Sequence, residues 1–459
     1  MRRRLAAVAL VGVAACSFAP RYERPAAPVP GVFPGAGGGG LAAADRGWRD
    51  VFGDPRLRAL ITVALANNRD LRITGLNIEL ARAQYRIESS ALIPSLNGTA
   101  TASVAGTTDG IASGFSPAGF TQYRVGLTMP AYELDLWGRV RNLKAGALED
   151  YLRTVETQRA AHLALVRAVV VQYLRERAFA EQQVLAEQTV ALVRESVDMT
   201  RRLLEAGQRS DLDARTAEAQ LHGARAEVIR LTRLHAQAEN ALALLIGRAL
   251  PSSLPAPQPL AAQDVAADVP AGLPSELLAR RPDILAAEHA LRAANADIGV
   301  ARATFFPQIS LTAFTGFAST SLTGLFAGPL AWSVSPQLNA PLFTAGRNRA
   351  SLDVAKVRKR IEVARYEQAI QGAFREVADA LVGRATFDAQ LEAQAARAEA
   401  EQQRFALSEI RYRNGIESYL VVLAAQQALY QTQAQLIELR VARLTNLADL
   451  YAALGGGWR

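Results

Sequence analysis

The sequence predicts an α+β membrane protein made by duplication. Each half supplies two membrane-length β-strands and a pair of very long, coiled-coil-like α-helices. Three observations carry that prediction. The chain matches itself at fixed offsets, short segments alternate apolar and polar residues, and no proline occurs between Pro130 and Pro251.

The self-match is the most informative of the three. "NRDLRITGLNIELARAQYRIESSALIPSL" pairs with "RPDILAAEHALRAANADIGVARATFFPQI", so Asp70, Leu71 and Pro94 meet Asp283, Ile284 and Pro307 at an offset of 213. From "WGR" (137–139) and "AGR" (345–347) onward the offset is 208, and Gly207, Ser210, Leu212, Leu221 and Gly247 meet Gly415, Ser418, Leu420, Leu429 and Gly455. The expected segments are a signal peptide (1–15), a tether (16–56), a first repeat (57–247), a proline-rich linker (248–275) and a second repeat (276–459).

Each repeat opens with a helix near Asp70 or Asp283, where a first-turn carboxylate suits the positive end of the helix dipole. It runs roughly 22 residues and stops before Pro94 or Pro307. Alternation follows. Leu96, Gly98, Ala100, Ala102 and Val104 share one face, and Val125, Leu127, Met129 and Ala131 share another after a Gly/Ser-rich loop. The second half offers Ile309, Leu311 and Ala313, then Trp332, Val334, Leu338, Ala340 and Leu342. Segments of roughly 9–11 residues cross a bilayer as tilted strands, although short strands of a soluble sheet alternate in the same way. A helix from about Val140 to Ala206 comes next, roughly 100 Å long at 1.5 Å per residue. Leu185, Leu192 and Met199, and Val190, Val197 and Leu204, mark its heptads. After the interruption "LLEAGQRSDLDA" (203–214) a cleaner seam runs through Leu221, Ala224, Val228, Leu231, His235, Ala238, Leu242 and Leu245. The second helix pair (347–413 and 418–454) is looser, with Arg443 and Asn446 in place of His235 and Ala238.

The N-terminus "MRRRLAAVALVGVAAC" has a basic start, an apolar run too short to span a membrane, and small residues before Cys16, the only cysteine. It reads as a secretory signal ending in a lipobox, with Cys16 as the lipidated first residue of the mature chain. Loss of Arg2, Arg3 and Arg4 with the signal lowers the net charge from +8 to +5. The remaining Arg and Glu alternate along helices, the mark of solvated faces, so no nucleic acid is expected as a partner. "FAPRYERPAAPVPGVFPGAGGGG" reads as an extended tether with little fold of its own.

Catalytic constellations are missing from the sequence. The four histidines (His162, His222, His235, His289) stand apart without HExxH spacing or a cysteine partner, and there is no GxSxG or phosphate-binding loop. His235 reads as a packed seam position. No enzyme activity, cofactor or metal is expected.

Four strands cannot close a barrel, and open strand edges in lipid are costly, so several chains must combine. In this layout, and in "CSFAPRYERP" (16–25), "WRDVFGDPRLRALITVALANNRDL" (48–71), "YELDLWGRVR" (132–141), "RRPDI" (280–284), "FFPQISL" (305–311), "RYRNGIESYL" (411–420) and "ALGGGW" (453–458), the chain resembles the TolC-type outer-membrane factors, most closely their lipoprotein branch of OprM and NodT-like efflux channels. The resemblance covers nearly the whole mature chain. It implies a homotrimer in which a 12-stranded β-barrel in the outer membrane of a Gram-negative bacterium continues into a 12-helix periplasmic tunnel. It implies a passive channel for drugs and other small toxic compounds, with a periplasmic membrane-fusion adaptor and an RND-type inner-membrane transporter as partners. Lipid on Cys16, with a serine next, implies sorting to the outer membrane.

The resemblance also assigns sites. The two tips, Gly207, Ser210 and Leu212 and then Gly415, Ser418 and Leu420, would receive the adaptor, and the second helix pair would move outward to open the tunnel. Related channels carry aspartates after the second tip, where this chain has Val421 and Ala424. An acidic gate is therefore replaced by an expected constriction of apolar side chains, Tyr412 and Arg411 or Arg413, with Asp211, Asp213, Glu417 and Val421 as further gate candidates. Asp211 reads equally as a helix cap or as a gate or adaptor contact. Metal-ion efflux, type I protein secretion and a non-channel periplasmic scaffold lipoprotein stay open as alternatives.

Overall fold

In the computed structural model of the chain, residues 17–33, 47–105, 120–265 and 274–456 are described. Cys16, the proposed lipidation site, lies outside them. The chain forms two compact units, each drawing on both repeats: Met1–Ala26, Asn77–Val155 and Ala286–Glu367 make the first, and Ala27–Leu76, Glu156–Leu285 and Gln368–Arg459 the second.

The elements in chain order are α1 (Trp48–Val51), α2 (Pro55–Asn67), α3 (Arg69–Ser90), β1 (Asn97–Ala105), β2 (Phe120–Glu133), α4 (Arg139–Glu205), α5 (Asp211–Ile246), α6 (Pro274–Arg280), α7 (Pro282–Ala303), β3 (Gln308–Ser319), β4 (Ala331–Asn339), α8 (Arg347–Arg413) and α9 (Tyr419–Ala453). The duplication is visible in lengths alone: α3 and α7 are both 22 residues long, and α4 and α8 both 67. No helix among the described residues is long and apolar enough to cross a membrane.

In the first unit the four strands pair antiparallel in the order β1-β2-β3-β4. Facing residues keep the alternation across the sheet. Ala100 opposes Val125 and Val125 opposes Phe317, while Val334 opposes Ala313 and Leu338 opposes Ile309. The other face carries Thr99, whose hydroxyl meets Thr128 at 2.8 Å, and Ser333, Ser335 and Gln337. A sheet apolar on one face and polar on the other suits lipid outside and water inside. Two strand expectations need correction. β2 has 14 residues because its pairing with β1 begins at Phe120, ahead of Val125, and a bulge between Met129 and Tyr132 accommodates Pro130, which has no ladder N–H to give. β4 ends at Asn339, so Ala340 and Leu342 fall outside it, with Pro341 between them.

The tether is also not what its composition suggests. Residues 17–24 have no regular structure, yet they dock along α7. The Phe18 ring stacks on Phe306 (4.6 Å) and lies 6.1 Å from Trp137. Arg302 donates to the Phe18 carbonyl at 3.0 Å, Asn295 to that of Pro20 at 2.8 Å, and Arg24 and Tyr22 donate to Glu288 at 2.6 and 3.2 Å. Burial works against the Glu288 charge, but hydrogen bonds from Arg24 and Arg292 outweigh it and hold the carboxyl below its ordinary range. Glu288, Asn295 and Arg302 are seven residues apart and so form one polar stripe.

The second unit holds the larger core, where Trp48, Phe52, Leu57, Leu60 and Ile61 pack with Val169, Tyr173, Leu242, Leu447 and Tyr451. Asp54 organises its edge. Its carboxylate caps α2 through the N–H groups of Arg56 and Leu57 and accepts from Tyr173 (2.6 Å) and Gln263 (2.8 Å). The described part of the linker thus packs: Val265 bridges Phe52, and Leu260 is buried. The α4 heptads hold in part: Val197 is buried and Leu185, Val190 and Met199 pack against buried clusters, but Leu192 is exposed and its neighbour Val193 is buried in its place. The looser second seam is knitted by polar groups instead. Asn446 lies against Gly383 and donates to Ala380 at 2.9 Å, while Arg443 pairs with Asp388 at 2.6 Å.

Candidate functional site

The two tips belong to the second unit and share one backbone solution. Gly207 (φ 70°) ends α4: its N–H reaches the Leu204 carbonyl at 2.9 Å, and Gln208 N–H reaches Leu203 at 2.9 Å. Gly415 (φ 75°) ends α8 with the same two bonds, to Tyr412 at 3.0 Å and from Ile416 to Arg411 at 2.9 Å. This is the left-handed helix stop in which a glycine pairs two otherwise orphaned carbonyls. Each chain reversal then leads into a helix capped at Ser210 or Ser418.

The side chains differ. Ser210 Oγ accepts from Asp213 N–H at 3.3 Å, so Ser210 is the cap, and Asp211 is an exposed first-turn residue 3.6 Å from Arg215. Ser418 makes no side-chain cap bond. Arg411 and Glu417 pair at 2.9 Å across the second turn. Leu212, Ile416 and Leu420 are each more than 60% exposed, an apolar set spread over both tips.

Tyr412 departs from its expected place. It is 1% exposed, packed with Val193, Val197, Phe405 and Tyr419, so its ring cannot be part of a surface constriction. It ties the two tips instead. Its hydroxyl lies 3.3 Å from Thr200 Oγ1, whose own proton goes to Ser196 O at 2.8 Å, which leaves Tyr412 as the donor. Arg209, from the first tip, places its guanidinium 4.7 Å from the Tyr412 ring centre and donates to the Tyr412 carbonyl at 3.4 Å. Arg413 adds a 3.4 Å contact to Glu195, both exposed and so weak, beside its 2.6 Å pair with Glu409. Beside this tie Tyr419 is buried, its hydroxyl has no hydrogen-bond partner, and burial pushes its pKa up to about 12. Arg209 and Thr200 were not among the sequence candidates. The repeat offers a sign of the first, since Arg209 aligns with Glu417, opposite charges at matched positions.

One further group has the reach of a metal site. A ligand atom each from Glu176, His235 and Glu239 lies within 4.8 Å of the others. Glu176 is already engaged by His235 at 2.8 Å and by the Arg177 fork at 2.8 and 2.9 Å, so a cation there would compete with a fixed positive charge.

With this geometry in view, the comparisons agree. Residues 60–248 and 273–456 match the outer membrane efflux protein family. The chain belongs to that family. It is 44% identical over 454 residues to the toluene efflux pump outer membrane protein TtgC of Pseudomonas putida, covering 96% of this chain and 93% of that one. It is also 44% identical to outer membrane protein OprJ of Pseudomonas aeruginosa, covering 97% and 93%. The open-state crystal structure of the MtrE outer membrane channel of Neisseria gonorrhoeae matches with a TM-score of 0.88 at 41% identity, over 97% of this chain and 99% of that one. The chain is thus an outer-membrane efflux channel, with the TolC-type fold its sequence predicts.

Proposed function

We propose that three copies of this chain close one barrel and one tunnel, and that the tunnel is held shut at its periplasmic end by the tie between the two tips of each copy. The observation that carries this reading is the buried Tyr412, gripped by Thr200 and Arg209 across the boundary between the helix pairs. Opening then requires the second pair to withdraw the Tyr412 ring from its pocket. Arg411, Arg413 and Val421 are exposed and Glu417 half-buried at the second tip, each secondary to the tie in keeping the tunnel shut. The exposed Leu212, Ile416 and Leu420 supply an apolar docking surface for a periplasmic adaptor, which couples the channel to an energised inner-membrane transporter. Lipid on Cys16 would anchor the mature N-terminus in the same membrane.

The relatives named for toluene and antibiotic efflux support small apolar organic molecules as the cargo. Deleting the chain from its host should raise accumulation of an apolar fluorescent dye and lower tolerance to toluene, both restored by the wild-type chain. Unchanged dye accumulation and toluene tolerance would contradict the assignment.

A further inference from the structure

Along α4, α5 and α9 the second unit holds a cavity of about 290 Å³ that is distinct from the tips. Four glutamines line it: Gln220 from α5, and Gln426, Gln427 and Gln431 from α9. Small residues give it room. Ala186 comes from α4 and Ala224 from α5, and a side chain added at Gly223 would meet nothing within 4 Å. Gly223 and Gln431 are counterparts at the offset of 208, so the duplication has put a long amide on one helix and open space on the other.

Gln426 is the residue that asks for a ligand. It is 4% exposed, and its Nε2 group has no hydrogen-bond partner. A buried donor left unpaired is destabilising, and this one lines a space that can hold an acceptor. Glu227 sets the opposite requirement. It accepts two bonds from the Arg230 guanidinium at 2.7 Å and one from the Tyr430 hydroxyl at 3.1 Å, so its charge is already matched. Each class of ligand can be weighed against this lining. An apolar molecule such as toluene would leave the amides unpaired. A cation would bring no lone pair to Gln426 Nε2, and an anion would face the Glu227 carboxylate. Hydroxyl groups both give and accept, as amides do. We propose that this cavity binds a neutral polyhydroxylated ring, a sugar unit, one oxygen of which accepts from Gln426 Nε2. Its other hydroxyls exchange hydrogen bonds with Gln220, Gln427 and Gln431, and Tyr430 adds an aromatic ring suited to a sugar's C–H face. The volume lies at the lower end for small-molecule sites, so one ring enters rather than a length of polymer. The site belongs to a single chain and depends on neither the trimer nor the Tyr412 tie. Free sugars in transit and the ends of cell-wall glycan strands present the same chemistry.

The test uses the full chain in a zwitterionic detergent, because a glucoside or maltoside detergent would itself compete. Saturation-transfer NMR with N-acetylglucosamine should give a saturable signal that toluene does not displace. Gln426→Leu should weaken binding about tenfold, through the loss of one buried hydrogen bond. Gly223→Leu fills the space without removing a polar group and should abolish binding, while thermal unfolding shows both variants folded. No saturable signal, equal binding by wild type and Gly223→Leu, or displacement by toluene would overturn the proposal. Undiminished binding by Gln426→Leu would overturn it as well, since the amide would then serve only water. Sedimentation with purified cell-wall sacculi separates the two sources. Co-sedimentation that Gly223→Leu removes marks a glycan end as the ligand, and its absence beside a positive NMR signal marks free sugars.

Discussion

At Gly207 the chain turns with Leu203 and Leu204 behind it and Arg209 and Asp211 ahead; at Gly415 the same turn has Arg411 and Tyr412 behind and Glu417 and Tyr419 ahead. The backbone bonds agree to within about 0.1 Å, since both are set by a glycine that can adopt positive φ. The side chains divide the work. The first tip is capped, charged and exposed, and it reaches outward through Arg209. The second buries two tyrosines and leaves its cap serine idle. A duplication can thus preserve a turn while reassigning which partner is fixed and which is gripped.

The largest effect should come from truncating the gripped residue. Tyr412→Ala empties a filled pocket and should cost about 3–5 kcal/mol, whereas Leu204→Ala, its half-buried counterpart, should cost clearly less. Thermal unfolding in detergent measures both, and equal losses would erase the distinction between the tips. A smaller contrast lies at the caps. Ser210→Ala should cost about 1 kcal/mol and Ser418→Ala close to nothing, because only Ser210 accepts a backbone N–H.

The smallest is a pH effect. Burial raises the Tyr419 pKa from 10.0 to about 12, so the folded tip favours the neutral phenol. That contribution is complete below pH 10 and is lost as pH rises through 12. Tyr419→Phe also removes a buried hydroxyl that has no partner, and should leave stability at pH 8 unchanged or slightly higher while flattening the alkaline loss. Melting curves between pH 8 and 12 show whether it does.

Much of this architecture was legible from residues. Pro94 and Pro307 stop α3 and α7, Gly207 and Gly415 stop α4 and α8, and alternation placed each strand within a few residues. What escaped depends on contacts between distant segments. Nothing in "FAPRYERP" announces a strap, although Glu288, Asn295 and Arg302 at intervals of seven form the stripe that receives it, and the first repeat has Gly75, Arg82 and Ser89 there. Tyr412 could be placed at a tip from its spacing to Gly415, but which way its ring turned depended on Val193, Val197 and Thr200, more than 200 positions away. Along α4 only Leu192 escaped in the same way: its apolar side chain fits the heptad, yet the neighbouring Val193 takes the buried place.

Single-channel recording in planar bilayers tests the central claim that the Tyr412 tie keeps the tunnel closed. Arg209→Ala combined with Thr200→Val removes both grips and leaves the tyrosine in place. This variant should show at least a several-fold higher open probability or conductance than wild type, and Arg413→Ala alone should change little. Wild-type conductance in the double variant, or opening produced by Arg413→Ala alone, would contradict the account.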